Sequence, residues 1–144
     1  WLQKVPRSSR TPAVQLALEA VGLTERSNAQ VKMLSGGMRR RLAIAQSIVA
    51  SPDVILLDEP TVGLDPVQRI EIRELVRAKA QNSTVVVSTH LLDDVQAFGG
   101  TVIVLVRGEM AFVGSVQELA ERDPGTGPGA TPLERAVANF MREH

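Results

Sequence analysis

The protein is a chain of 144 residues in which 16 Lys and Arg balance 16 Asp and Glu, so its formal net charge is zero. That balance offers no global field for nucleic acid or for an acidic membrane surface. With 44% hydrophobic and 22% charged residues the composition is that of one ordinary globular domain. Cysteine is absent, which excludes disulfides and thiolate metal sites, and the longest apolar stretches, such as 84–87 and 101–106, are too short to span a bilayer.

Residues 1–10 (WLQKVPRSSR) are polar and basic, show no secretory signal pattern and read as loop or frayed helix. The opening Trp1 in place of Met fits a fragment whose start lies upstream. Thr11-Pro12 opens a helix, with Thr as N-cap and Pro at its first position; Leu16, Leu18, Ala20 and Val21 follow, and Gly22 stops it. Residues 24–33 form a polar connector. From Ser35 the pattern is helical, with Met38, Leu42, Ala45, Ile48 and Val49 on one stripe and Arg39–Arg41 mostly off it, until Ser51-Pro52. Val54–Leu57 is a continuous apolar run, expected for a strand buried on both faces.

Asp65-Pro66-Val67-Gln68 starts a helix running to about Ala80. Thr84–Ser88 reads as a second buried strand and Leu91–Phe98 as a short helix. A third strand covers 101–106, and Arg107-Gly108-Glu109 turns it into Met110–Val113 as a hairpin. Ser115 and Glu118 form a capping box. Residues 123–130 (DPGTGPGA) have the composition of a flexible linker. Thr131-Pro132-Leu133-Glu134 starts a last helix whose Leu133, Val137, Phe140 and Met141 share a face that should dock. Strands alternating with helices imply an α/β domain with a largely parallel sheet.

Two places carry chemistry. Asp58 and Glu59 leave an apolar strand at its carboxyl end, where open α/β sheets bind ligands. Adjacent residues there point in different directions, so one carboxylate can hold hydrated Mg²⁺ while the next polarises a water, as phosphoryl transfer requires. An acidic strand end that only caps the next turn gives the same string. Leu34-Ser35-Gly36-Gly37 precedes a helix whose free N–H groups attract phosphate, and its glycines allow close approach. An ordinary Ser N-cap explains it equally. His90, just after a strand, is suited to a γ-phosphate or to a structural role. Asp65 is explained locally as a cap. Arg39–Arg41, without aromatic companions, read as a solvated or partner-facing surface, and no nucleic acid is expected. His144 is terminal and carries no reading.

In order, LSGGM-RRRLAIA (34–45), VILLDEP (54–60), TVGLDP (61–66) and VVSTH (86–90) resemble the ATP-binding subunit of ABC transporters. The resemblance implies a signature motif at Leu34, Ser35, Gly36 and Gly37 for ATP binding, a Walker B strand with Asp58 on Mg²⁺ and Glu59 as catalytic base, a D-loop at 63–65 with Asp65, and His90 as the switch histidine. RGEMAFVGSVQEL at 107–119 is similar to the family's usual ending. Met38 stands where the family often has Gln, and Gln46 where it often has Arg; both leave the anion-binding turn intact.

The phosphate-cradling G-x-x-x-x-G-K-[ST] is missing. Lys4, Lys32 and Lys79 follow no glycine, and GTGPGAT (125–131) has no Lys and follows no strand. The resemblance therefore implies the C-terminal portion of an ABC ATPase domain, a partial P-loop NTPase fold of mostly parallel sheet flanked by helices. It spans 1–122, with 1–50 in the helical subdomain and signature helix and 51–122 from Walker B onward. A linker follows at 123–130 and a terminal helix at 131–144. In the family the P-loop strand lies between those matching 84–88 and 101–106. Its loss predicts a marginally stable chain that turns over no ATP alone, an expectation that robust turnover by purified 1–144 contradicts.

The implied function is ATP binding and hydrolysis as the motor of a transporter, the GLDP turn and C-terminal helix resembling bacterial exporters. The implied partners are a transmembrane permease and a second, head-to-tail ATPase subunit, at the cytoplasmic face of the plasma membrane. A non-transport ATPase of DNA maintenance or translation, and a non-catalytic interaction module, are the competing readings.

Overall fold

A computed structural model describes residues 5–143. The expectations for residues 1–4, Trp1 among them, and for His144 lie outside the described residues. The contacts divide the chain into two compact units, one ending at His90 and one beginning at Leu91.

In the first unit, helix α1 (Arg10–Ala20) and helix α2 (Gly36–Ile48) precede strand β1 (Val54–Asp58), helix α3 (Pro66–Lys79) and strand β2 (Thr84–Ser88). Residues 5–10 are more ordered than their composition suggests. Val5 is buried and accepts a bond from Arg10 Nε through its carbonyl (3.1 Å), and a 3₁₀ turn at Arg7–Ser9 runs straight into α1. The N-cap is therefore Ser9, not Thr11, and Pro12 sits inside the first turn, where its missing N–H costs nothing. Gly22 ends α1 as expected. With φ at 66° it lets Gly22 N–H reach Glu19 O (3.0 Å) and Leu23 N–H reach Leu18 O (2.8 Å), a Schellman closure. Ala17, Val21 and Leu23 are buried, whereas Leu16 faces solvent.

Helix α2 buries Ile44, Ala45 and Ile48, so the packed stripe includes Ile44 and leaves Met38, Leu42 and Val49 half-buried. The triad Arg39–Arg41 is not a uniform solvated face. Arg41 Nη1 donates to Val21 O (3.2 Å), placing a cation at the carboxyl end of α1.

Strands β1 and β2 pair in parallel, in register from Val54 with Thr84 to Asp58 with Ser88. They are not buried on both faces. Ile55 and Leu57 are buried, but Leu56 is 70% and Val86 52% exposed. A two-stranded sheet can cover one face with its own helices; the other face needs a further layer to close it.

In the second unit, helix α4 (Leu92–Phe98) leads to strand β3 (Thr101–Val106), strand β4 (Glu109–Ser115), helix α5 (Val116–Ala120) and helix α6 (Pro132–Glu143). β3 and β4 form the expected antiparallel hairpin, closed by Arg107 and Gly108 at φ 52° and 84°, a type I′ geometry. Phe112, Leu119, Leu133 and Ala136 make its core, joined by Val137 and by Phe140, whose ring centroid lies 5.9 Å from that of Phe112. Met141 was expected on this docked face and instead projects into solvent, while Ala136 is fully buried. The Asp123–Ala130 segment is tied across its base: Arg135 Nη2 lies 2.6 Å from Asp123 Oδ2, and its Nη1 donates to Gly129 O and Ala130 O. An ion pair thus bridges the ends of this glycine-rich loop.

Candidate functional site

Parallel register builds the site. Asp58 and Ser88 are paired residues at the carboxyl ends of β1 and β2, and the Ser88 hydroxyl donates to Asp58 Oδ1. One step on, Glu59 N–H donates to Ser88 O (2.9 Å), extending the ladder by one rung. Glu59 then turns out of the strand at φ 46°, a left-handed conformation that costs roughly 1–2 kcal/mol in a residue with a Cβ. The turn swings its carboxylate toward the chain leaving β2, where His90 Nδ1 lies 2.6 Å from Glu59 Oε1.

A carboxylate only accepts, so this contact places the ring proton on Nδ1 and leaves Nε2 outward on a largely exposed imidazole. Glu59 Oε2 is buried and has no hydrogen-bond partner. A buried carboxylate oxygen left in that state is costly. Asp58 is exposed. Among the described residues no group of three or more His, Cys, Asp or Glu could hold a metal. One exposed carboxylate with a hydroxyl beside it fits Mg²⁺, which keeps most of its waters and shares its shell with substrate phosphates.

The signature turn forms a separate cluster. Ser35 is the N-cap of α2: Met38 N–H donates to its Oγ (3.2 Å) and Arg39 N–H to its carbonyl (2.9 Å). Gly36 and Gly37 supply the remaining N–H groups of the first turn, which have no intrahelical acceptor. Leu34 is buried and anchors the turn. Asp65 caps α3 by accepting from Gln68 N–H (3.0 Å). A Cβ on Gly37 would stand 3.3 Å from Gln68 Oε1 and 3.4 Å from Leu64 Cδ2, so the two helix starts pack closely. The structure thus brings Asp58, Glu59 and His90 together, and separately brings Ser35–Gly37 beside the Leu64–Gln68 segment.

Sequence reasoning missed Ser88 and the bond from Arg69 Nε to Leu64 O (3.1 Å). Only the parallel register, invisible in a linear string, signals Ser88. In the glycine-rich stretch before α6, Glu134 Oε2 accepts from the N–H groups of Ala130 (2.6 Å) and Thr131 (3.0 Å). Those two bonds hold the Glu134 carboxyl below its ordinary range.

A family model described as ABC transporter matches residues 3–62. The energy-coupling factor transporter ATP-binding protein EcfA2 of Enterococcus faecalis is 40% identical over 131 residues, covering 84% of this chain and 45% of the relative. An uncharacterized ABC transporter ATP-binding protein of Synechocystis, sll0415, is 32% identical over 150 residues, covering 99% and 42%. Among solved structures, a metal-chelate type ABC transporter in an inward-facing conformation has a TM-score of 0.68 at 30% identity, over 79% of this chain and 46% of that one.

The chain belongs to the ABC transporter ATP-binding family.

It spans less than half the length of these curated relatives. Within this ABC chain the family match takes in the Ser35–Gly37 turn and the Asp58–Glu59 pair, whereas Asp65 and His90 lie beyond its end at Val62. The ABC fold accounts for the small parallel sheet with helices against it.

Proposed function

We propose that this chain supplies the water-activating end of an ATP-hydrolysing subunit that powers an ABC transporter. The observation that supports it best is the Glu59–His90 contact beside the Asp58–Ser88 pair at the strand ends. Glu59 is the general base, its carboxylate accepting the proton of the attacking water. His90 holds one carboxylate oxygen through Nδ1, which leaves Nε2 as the atom that would meet a γ-phosphate. Asp58, steadied by Ser88, holds Mg²⁺, which when bound neutralises charge on the phosphates.

The signature turn, Leu34 to Gly37, serves ATP held by a second ATPase subunit arranged head to tail, with Asp65 at the same junction. The Gly36 and Gly37 amides and the Ser35 hydroxyl proton are the donors it offers. The working assembly includes a transmembrane permease, and the subunit sits at the cytoplasmic face of the plasma membrane. Among the described residues no helix is long and apolar enough to cross a membrane. Export is the direction we propose, on the GLDP turn and the helix α6. The domain boundaries proposed from the sequence belong to the same reading.

The test is ATP turnover by the assembled transporter carrying Glu59→Gln. Turnover is expected to fall by roughly 10²- to 10⁴-fold, the usual weight of a positioned base, while MgATP binding is retained. Turnover at the parental rate would sink the assignment of Glu59 as base.

A further inference from the structure

The residues between the base and α3 form a continuous mechanical link to the signature turn. Glu59 O accepts from Val62 N–H (3.4 Å), and Thr61 O from Leu64 N–H (3.2 Å). Gly63 takes a left-handed φ of 76°, which reverses the chain and drives the Leu64 side chain inward, where it is 4% exposed. That side chain lies against Gly37, within 3.4 Å of where a Cβ would be. From the other side, Arg69 Nε donates to Leu64 O (3.1 Å), a bond from the first turn of α3 back over its own N-cap. Arg69 is half-buried, so the guanidinium is not spread into solvent.

Each contact is ordinary, but their order is informative. Leu64 is held at its amide by Thr61, at its carbonyl by Arg69 and at its side chain by Gly37. A residue fixed at three points transmits displacement between the elements that fix it, because packed elements shift as units and do not deform smoothly. Glycine at 37 makes the approach close: a methyl there would stand 3.3 Å from Gln68 Oε1 and 3.4 Å from Leu64 Cδ2.

We infer that Arg69 is a positioning residue that clamps Leu64 against Gly37, so that the Glu59 end of β1 and the Ser35–Gly37 turn move as one piece. The inference rests on the proposed function, in which Glu59 acts on this subunit's nucleotide and the turn on the partner's. Under that reading the clamp links the two nucleotide sites of a dimer, and Arg69 touches neither substrate.

The experiment uses the assembled transporter with three variants: Arg69→Met, which keeps bulk and removes the donor, Arg69→Lys, which keeps a cationic donor, and Glu59→Gln. For Arg69→Met the Hill coefficient for ATP is expected to fall toward 1. The kcat should drop by about 2- to 10-fold, the equivalent of one hydrogen bond, with ATP affinity and thermal midpoint unchanged. Arg69→Lys should recover part of both losses.

An unchanged Hill coefficient and kcat in Arg69→Met would overturn the clamp. So would a loss that tracks the thermal midpoint and that Lys does not repair, because Arg69 would then serve folding alone. The two readings fail separately: Glu59→Gln with parental turnover defeats the proposed function, whereas its loss of turnover beside an inert Arg69→Met defeats only the clamp.

Discussion

The residues that matter most are those whose backbone is forced. Glu59 takes a positive φ that its Cβ disfavours, and the return is a carboxylate aimed across the strand ends at His90. Such strain persists only where the surroundings over-determine it, and here the Ser88 carbonyl and the Val62 amide hold Glu59 on both sides. Asp65 illustrates the opposite case. Its role as helix cap is local, legible from Asp-Pro-x-Gln alone, and present as read. Asp65→Ala is expected to lower stability by about 1 kcal/mol through the lost cap, measured as a shift in the urea midpoint of the purified chain. A midpoint equal to the parent's would show that the bond to Gln68 N–H contributes nothing. Asp58, Glu59, His90 and the Ser35–Gly37 turn were all legible as candidates. Ser88 was not, because it bonds a residue that only strand pairing brings near, and neither was Arg69, whose side-chain bond to the Leu64 carbonyl has no sequence signal.

Among the elements, helix starts followed local chemistry wherever a side chain did the capping. Ser35, Asp65, Ser115 and Thr131 each accept from a backbone N–H three residues on, as their spacing predicts. Thr11 failed because a preceding 3₁₀ turn had already entered helical geometry at Arg10. The strands failed in burial, not in position. Val54–Asp58 and Thr84–Ser88 are strands as read, yet their outer faces carry exposed Leu56 and Val86. Helix α6 docks through Leu133, which is 2% exposed in a cluster with Phe112 and Leu119. Leu133→Ala should therefore cost about 2–5 kcal/mol, whereas Met141→Ala, on an exposed side chain, should stay within about 0.5 kcal/mol. Equal effects of the two in denaturant unfolding would show that the helix docks differently.

At the scale of the whole molecule, the chain resolves into two units with separate contacts, and their acid sensitivities should differ. In the second unit Asp123 is held below the ordinary carboxylate range, chiefly by the Arg135 guanidinium, and Glu118 and Glu134 chiefly by backbone N–H groups at helix starts. A carboxyl lowered in the folded state binds its proton more readily when unfolded. Its stabilisation is therefore present above the ordinary carboxylate pKa of about 4 and lost as pH falls through the lower folded value. Asp123→Asn should flatten the decline of second-unit stability below about pH 4, followed by amide exchange in β3, β4 and α6. A decline as steep as the parent's would remove the Asp123–Arg135 pair from the account. The sequence by itself determined every helix cap it named except Thr11, the strand positions, the hairpin and the order of family motifs, because each depends on residues within a few positions of one another. Only the tertiary structure decided which strand faces stay open, that an ion pair closes the 123–130 loop, and that the Ser88 hydroxyl reaches Asp58. Those outcomes depend on the register of one strand against another and on the packing of helix starts, contacts between residues that the chain itself holds apart.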